Sequence, residues 1–379
     1  MKNFFQGNIV SADHAGYGRV MWQDAVITHV EFSGEVRGGA DWIVPGFIDT
    51  HVHGLGNADV SASGVVPMSG FFPKFGVTGF LPTLDTVAPA TTLAYLKEVK
   101  EASAAVCGAR VLGSHLEGPF LSAEFAGGMD HNQLRMPDVE EVDSWIGCAE
   151  GSLKVVTLAP ELPGASEVIR KLSESGVIVS LGHTAMKAAE LPQAISAGVS
   201  RMCHIFDAYD GRHVENGVSM PSLTDAALIC NQLMLEIIMD GIHVPAELVR
   251  LAIRAAGTGR VIAISDAMMG TGLPDGIYPS SDGRMYKLDS HDVCRELEPP
   301  YRIFGSCLTM NRAFNNLIRK FGCTPVEAVQ MTSANPARSI GLGDKYGTLL
   351  PGFTADITVL ADDMLTVKST VINGDEVLN

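Results

Sequence analysis

The 379-residue chain is 46% hydrophobic and 18% charged, a globular composition rather than a disordered one. Its 27 basic and 43 acidic side chains sum to a formal charge of −16, which argues against nucleic-acid or anionic-membrane partners, since both need basic patches. The seven cysteines (Cys107, Cys148, Cys203, Cys230, Cys294, Cys307 and Cys323) form no CxxC pair, so neither a disulfide framework nor a zinc ribbon is expected, and a reducing, cytoplasmic location is.

The N-terminus "MKNFFQGNIVSADHAGYG" has no long apolar core of a signal peptide, and no run of about 18 apolar residues predicts a membrane span. Residues 1–46 read as short strands between glycine-rich turns: "FFQGNIVSA", "RVMWQDAVITHVEFSGEV", "DWIVPGF". Residues 342–379 return to the same style in "GTLLPGFTADITVLADDMLTVKSTVINGDEVLN". Neither piece carries enough apolar surface for a core of its own, so the two ends are expected to make one small β-sandwich domain.

Between them, residues 47–341 alternate apolar strands with helical stretches. Strands are predicted over 76–84, 109–118, 153–161, 176–184, 201–206, 235–244 and 260–268, with helices such as "TTLAYLKEVKEASAA" and "ASEVIRKLSES" between. Repeated βα units of near-continuous apolar strands read as an α/β fold, a (β/α)8 TIM-like barrel. The alternative is an open doubly wound sheet, but no GxGxxG opens a helix after the first strand. "GMDHNQ" and "GTGLPDG" are glycine-rich but lack the Lys-Ser/Thr of a phosphate loop, and they read as turns.

Polar residues recur at the C-terminal ends of successive strands: His51 and His53, Glu117, His183, His204, His243 and Asp266. In a barrel these ends share one mouth, where active sites are built. His51 and His53 lie two apart, on one face of an extended strand, and aim at a common point. Taken alone, such a pair is equally met as histidines satisfied by hydrogen bonds. Glu117 with His183 and His204 offers one carboxylate and two imidazoles, an open donor set suited to a catalytic divalent cation. His51 and His53 would hold a second ion with Glu117 bridging. Asp266 beside such a site suits a general base that takes a proton from water and returns it to a leaving amine, the chemistry of C–N bond hydrolysis.

These landmarks ("PGFIDTHVHG", "HLEGPF", "GHT", "DGIHV", "SDAM", "GSCLTM", "NPARSIGL", "GTLLPGFTADITVL") occur in an order that resembles the amidohydrolase superfamily, and specifically the N-acetylglucosamine-6-phosphate deacetylases. The resemblance implies a metal-dependent hydrolase that removes the acetyl group from an N-acetylated amino sugar. It implies Glu117, His183 and His204 as metal ligands, Asp266 as the catalytic acid/base, and Zn²⁺ or Fe²⁺ as the metal. One ion is implied, or two where both histidines of HxH are kept, as here. His131 in "GGMDHNQ" is similar to the family histidine that contacts the acyl carbonyl. The substrate-binding set implied comprises Asp130, His131, Asp207, Ala208, Arg212, Asp240, His243, Phe304 and Gly305. A homo-oligomer, dimer or tetramer, is implied as well.

One segment departs from the family pattern. In "HIFDAYDGRHVENG", Asp207 replaces the usual asparagine, and Val214 falls where the phosphate-binding arginine is usual, leaving Arg212 two residues early. A different N-acyl or cyclic-amide substrate without phosphate is therefore the alternative expectation. A non-catalytic barrel used for binding or assembly is a third, opposed by the complete set of expected ligands.

Overall fold

The computed structural model describes residues 3–378 apart from 12, 106–107, 280–282, 290–292, 298–302 and 304. Both chain ends meet in one seven-stranded mixed sheet. Its N-terminal part is β1 (Asn3–Val10), β2 (Ala15–Gln23), β3 (Val26–Gly34) and β4 (Trp42–Pro45). Alternation is visible in β2, where Gly16, Gly18, Val20 and Trp22 turn inward. The hydrophobic interior of this sheet is Ile9, Val20, Trp22, Ile27 and Ile43 from the first forty-odd residues, with Leu349, Ala355, Ile357 and Val371 from the other end. Neither set would enclose a core without the other.

The barrel follows directly. Its strands are β5 (Phe47–Val52), β6 (Val77–Leu84), β7 (Ser114–Glu117), β8 (Leu153–Leu158), β9 (Ile178–Leu181), β10 (Val199–Met202), β11 (Met234–Ile238) and β12 (Val261–Ile264). They lie side by side in chain order and are all parallel. The first and last strands close through the Val52–Ala267 bridge, where His53 N donates to Ala267 O at 2.9 Å and Asp266 N to His51 O at 3.0 Å. Every residue of β6 is buried, as expected for a strand covered on both faces. The chain then completes the terminal sheet with β13 (Ile357–Leu360), β14 (Val367–Ile372) and β15 (Asp375–Leu378), β13 pairing antiparallel to β4.

The helices that wrap the barrel form where their apolar spacing predicts. In Ala165–Glu174, Val168, Ile169 and Leu172 recur at i, i+1 and i+4 and are buried, leaving the charged face outside. Pro89–Ser103 begins on a proline, whose missing N–H would have had no partner in the first turn, and buries Leu96 and Val99. Among the described residues, no helix is long and apolar enough to cross a membrane.

Several strand readings need correction. The predicted strand 109–118 is split into Arg110–Val111 and Ser114–Glu117, with Gly113 at φ 139° between them. A Cβ at Gly113 would lie 2.5 Å from Ser152 O, so the break requires glycine. The strands predicted over 176–184, 201–206, 235–244 and 260–268 stop earlier, at Leu181, Met202, Ile238 and Ile264. Their polar ends leave the ladder and turn toward the mouth. Beyond the "GTGLPDG" turn, Gly276–Pro279 pairs antiparallel with Met285–Leu288, and Arg295–Glu296 adds a third strand, forming a flap that the turn reading did not anticipate.

Candidate active site

The strand ends carry the polar residues to one place. His51 and His53 leave the end of β5 with ring centroids 5.2 Å apart. Glu117 ends β7, and His183 and His204 follow β9 and β10 by two residues each. Asp266 follows β12. His183 (φ 49°) and Asp266 (φ 50°) are both left-handed, a costly conformation for residues with a Cβ, and it turns each side chain inward. All six residues are less than a tenth exposed.

Glu117 is the hub. Its Oε1 lies 2.9 Å from His204 Nε2 and 3.2 Å from His183 Nε2. Its Oε2 lies 3.4 Å from Nε2 of both His51 and His53. Asp266 Oδ1 faces the same two nitrogens, 3.5 Å from His51 and 3.1 Å from His53. Four Nε2 atoms thus surround two carboxylates.

The outward nitrogens reveal which inward atoms hold protons. His183 Nδ1 is 2.8 Å from the Phe125 carbonyl, and His51 Nδ1 is 3.3 Å from Glu236 Oε2. Carbonyls and carboxylates only accept, so both Nδ1 atoms carry hydrogen. In a neutral imidazole the Nε2 lone pair then points at Glu117. Two acceptors facing each other at 3.2–3.4 Å need a positive charge between or upon them. His51 Nε2 is buried and makes no hydrogen bond among the described residues.

In the protein alone that demand appears as protonation. Burial opposes charge on His51, but Glu117 and Glu236 prevail and push it up to about 10. Burial is likewise overcome at His204, raised to about 9 chiefly by Glu117. Glu117 is driven well below the carboxylate range by its histidines despite burial. A divalent cation meets the same demand with its own charge, so this donor set fits one. His51, His53 and Asp266 form one group of converging donors; His51, Glu117, Cys203 and His204 form another.

The cluster opens into a cavity of about 600 Å³. Several expected substrate residues line it: His131, Asp207, Ala208, His243 and Gly305. His131 sits on a short 3-10 turn whose entry Asp130 caps, Oδ1 accepting from Asn132 N at 3.0 Å. Asp130 itself is not in the cavity wall. Neither is Asp240, which instead holds His243, its Oδ2 lying 2.6 Å from Nδ1. Gly305 is left-handed at φ 67°, and a Cβ there would strike Met268. Phe304 lies outside the described residues.

Arg212 is not brought in. Its guanidinium is bound to Asp225, at 2.8 Å to Oδ2 and 2.6 Å to Oδ1, and its side chain is 66% exposed. Asp225 is itself held in place by the cap of the helix Leu223–Ile229, its Oδ2 accepting from Ser222 N at 2.9 Å.

Asp85, Cys203, Glu236 and the cavity-lining Arg284 and Glu296 were not foreseen as site residues. Asp85 Oδ1 is 2.9 Å from His53 Nδ1, and the Cys203 thiol donates to Glu117 Oε1 at 3.4 Å. Asp85 directly follows a strand, Cys203 adjoins His204, and Glu236 is a lone acid in an apolar strand; all three signals were present.

Comparison with known proteins places the chain in a family. The Amidohydrolase family model matches residues 42–377. The chain is 34% identical over 352 residues to N-acetylglucosamine-6-phosphate deacetylase of Bacillus subtilis (strain 168), covering 91% of this chain and 87% of that one. It is 34% identical to N-acetylgalactosamine-6-phosphate deacetylase of Escherichia coli O157:H7, with 88% and 87% covered. A crystal structure of a Mycobacterium smegmatis N-acetyl-D-glucosamine-6-phosphate deacetylase variant in complex with N-acetyl-D-glucosamine-6-phosphate superposes with a TM-score of 0.89, at 27% identity over the whole of both chains. The chain belongs to the amidohydrolase family, among its N-acetylglucosamine-6-phosphate deacetylases.

Proposed function

We propose that the protein hydrolyses the acetamide of an N-acetylated amino sugar, N-acetylglucosamine-6-phosphate first among them, releasing acetate and the free amine. The observation that carries this reading is the convergence of four imidazole Nε2 atoms on Glu117 and Asp266 at the floor of a sugar-sized cavity. Glu117, His183 and His204 would hold one divalent cation, Zn²⁺ or Fe²⁺, and His51 and His53 a second, with Glu117 between. When bound, such a cation acts as a Lewis acid and makes hydroxide available near neutral pH.

The chain's own residues supply the remaining steps. The Asp266 carboxylate takes the proton of the attacking water and delivers it to the departing nitrogen. His131 donates a hydrogen bond to the oxygen that becomes negative at the acyl carbon. His243, steadied by Asp240, orients the sugar, while Asp207, Ala208 and Gly305 shape its enclosure. A homo-oligomer, dimer or tetramer, is part of this reading on the family resemblance alone.

A second reading, an N-acyl sugar without phosphate, is favoured by one feature: Arg212 is tied to Asp225 while Asp207 faces the cavity. Acetate release should be measured with N-acetylglucosamine, its 6-phosphate and N-acetylgalactosamine-6-phosphate, after reconstitution with Zn²⁺ or Fe²⁺. Preference for a 6-phosphate supports the first reading. Preference for the unphosphorylated sugar supports the second, and no acetate from any of them rejects both.

A further inference from the structure

Glu236 raises a question that the reaction leaves open. It sits in the middle of β11 with no exposed surface, and an unpaired carboxylate is costly in such a place. Its Oε1 accepts from Arg201 Nη1 at 3.0 Å, and Arg201 is itself only 1% exposed. The other end of Arg201 donates to Ser339 Oγ and, at 3.4 Å, to Ser339 O. Glu236 is therefore fixed from beneath, with its second oxygen left for the ring above. That oxygen lies 3.3 Å from His51 Nδ1.

This contact decides two properties of His51. A carboxylate accepts only, so the proton sits on Nδ1 and the Nε2 lone pair faces Glu117 and Asp266. The His115 ring, edge-on at 4.7 Å, then limits rotation. The four histidines are not backed alike. Asp85, which faces His53, has a 43% exposed side chain, so water can replace it. His183 leans on a neutral carbonyl, and His204 Nδ1 has no hydrogen-bond partner among the described residues. Among these contacts, His51 alone has a carboxylate that is dry and held by its own counter-charge.

We infer that Glu236, anchored by Arg201, is a positioning residue that presents His51 Nε2 to a divalent cation, so that occupancy of the ion position between His51 and His53 depends on it. The inference rests on the two-ion reading of the site. Partners behind a ligating histidine characteristically change metal affinity by about 10–100-fold when removed. In Glu236→Gln, the side-chain oxygen turns to Arg201 and the amide N–H₂ faces His51 Nδ1. The histidine proton must then move to Nε2, where it blocks ligation.

The test is metal content by mass spectrometry after Zn²⁺ reconstitution and dialysis, with chelator competition for each ion. It compares the wild type, Glu236→Gln and the double variant Glu236→Met with Arg201→Met. The double variant removes both buried charges together and so keeps the fold accessible. Two ions in the wild type and one in both variants are expected, the lost ion binding about 10–100-fold more weakly and the remaining one within threefold of wild type. Asp85→Asn should shift the second ion by less than about tenfold, because solvent substitutes there. Two ions in all proteins with matching affinities would overturn the inference, as would a wild type holding one ion. A wild type holding none brings down the metal reading beneath it.

Discussion

Replacing Asp266 with asparagine isolates proton transfer from everything else at the site. Asp266 occupies a left-handed turn at φ 50°, and its backbone closes the barrel: its N–H donates to His51 O at 3.0 Å, and its carbonyl accepts from Ser306 N at 3.0 Å. Asparagine tolerates that conformation where alanine would add about 1 kcal/mol of backbone cost. Its side chain has the same shape, so the contacts with His53 at 3.1 Å and His51 at 3.5 Å keep their spacing. What disappears is the proton acceptor. Positioned acid–base groups contribute about 10²–10⁴-fold, or roughly 3–5 kcal/mol of barrier. Asp266→Asn should therefore lower kcat/KM for acetate release by that factor, with metal content and Tm near wild type. The assay is steady-state acetate release on metal-loaded protein, with metal analysis of the same sample. Activity within tenfold of wild type at full metal loading would refute the proton-transfer role, and loss of metal would make Asp266 a ligand instead.

Three further outcomes follow from the geometry. Asp207→Asn removes a negative charge from the cavity wall and should lower KM for a 6-phosphorylated sugar while leaving that of the unphosphorylated sugar unchanged; equal KM values before and after would place Asp207 away from the phosphate. Arg110→Met breaks the paired contact with Asp356, where the terminal sheet meets the barrel, and leaves a 6% exposed carboxylate without its cation. It should cost about 3 kcal/mol in urea unfolding, the low end for a buried pair because Arg110 keeps some solvent contact; a loss under about 0.5 kcal/mol would contradict this. The third concerns acid unfolding of the metal-free protein. Burial opposes charge on Glu236, but the His51 contact and Arg201 hold its carboxyl down at about 2, below the ordinary 4.5. Its stabilisation is thus complete above pH 4.5 and fades as pH falls toward 2, so wild type should lose stability more steeply than Glu236→Gln across that window. Parallel acid profiles would show that Glu236 does not carry it.

The expected constellation was legible because its residues share one rule, a polar group just past an apolar strand, and parallel strands in a barrel bring those ends together. His51 and His53 were readable as a pair because side chains two apart share a face. The supporting shell was harder to see. Glu236 lies inside a strand, where an acid usually signals an exposed face; only the barrel interior, with Arg201 from the neighbouring strand, explains it. Asp85 obeys the same rule, directly past an apolar strand, and Cys203 adjoins His204, but position alone does not say that Asp85 reaches His53 Nδ1 or that the Cys203 thiol reaches Glu117. Arg212 was displaced by a competitor thirteen residues away, Asp225, whose helix-capping position is a local feature but whose reach to Arg212 is not.

The central claim is that Glu117, His183 and His204 close on one divalent cation. It is tested most directly by anomalous X-ray diffraction from crystals grown with Zn²⁺. The account requires a peak about 2.0–2.2 Å from Nε2 of both histidines and from a Glu117 oxygen. A map without density among these three side chains, from protein that still releases acetate in excess chelator, would contradict it.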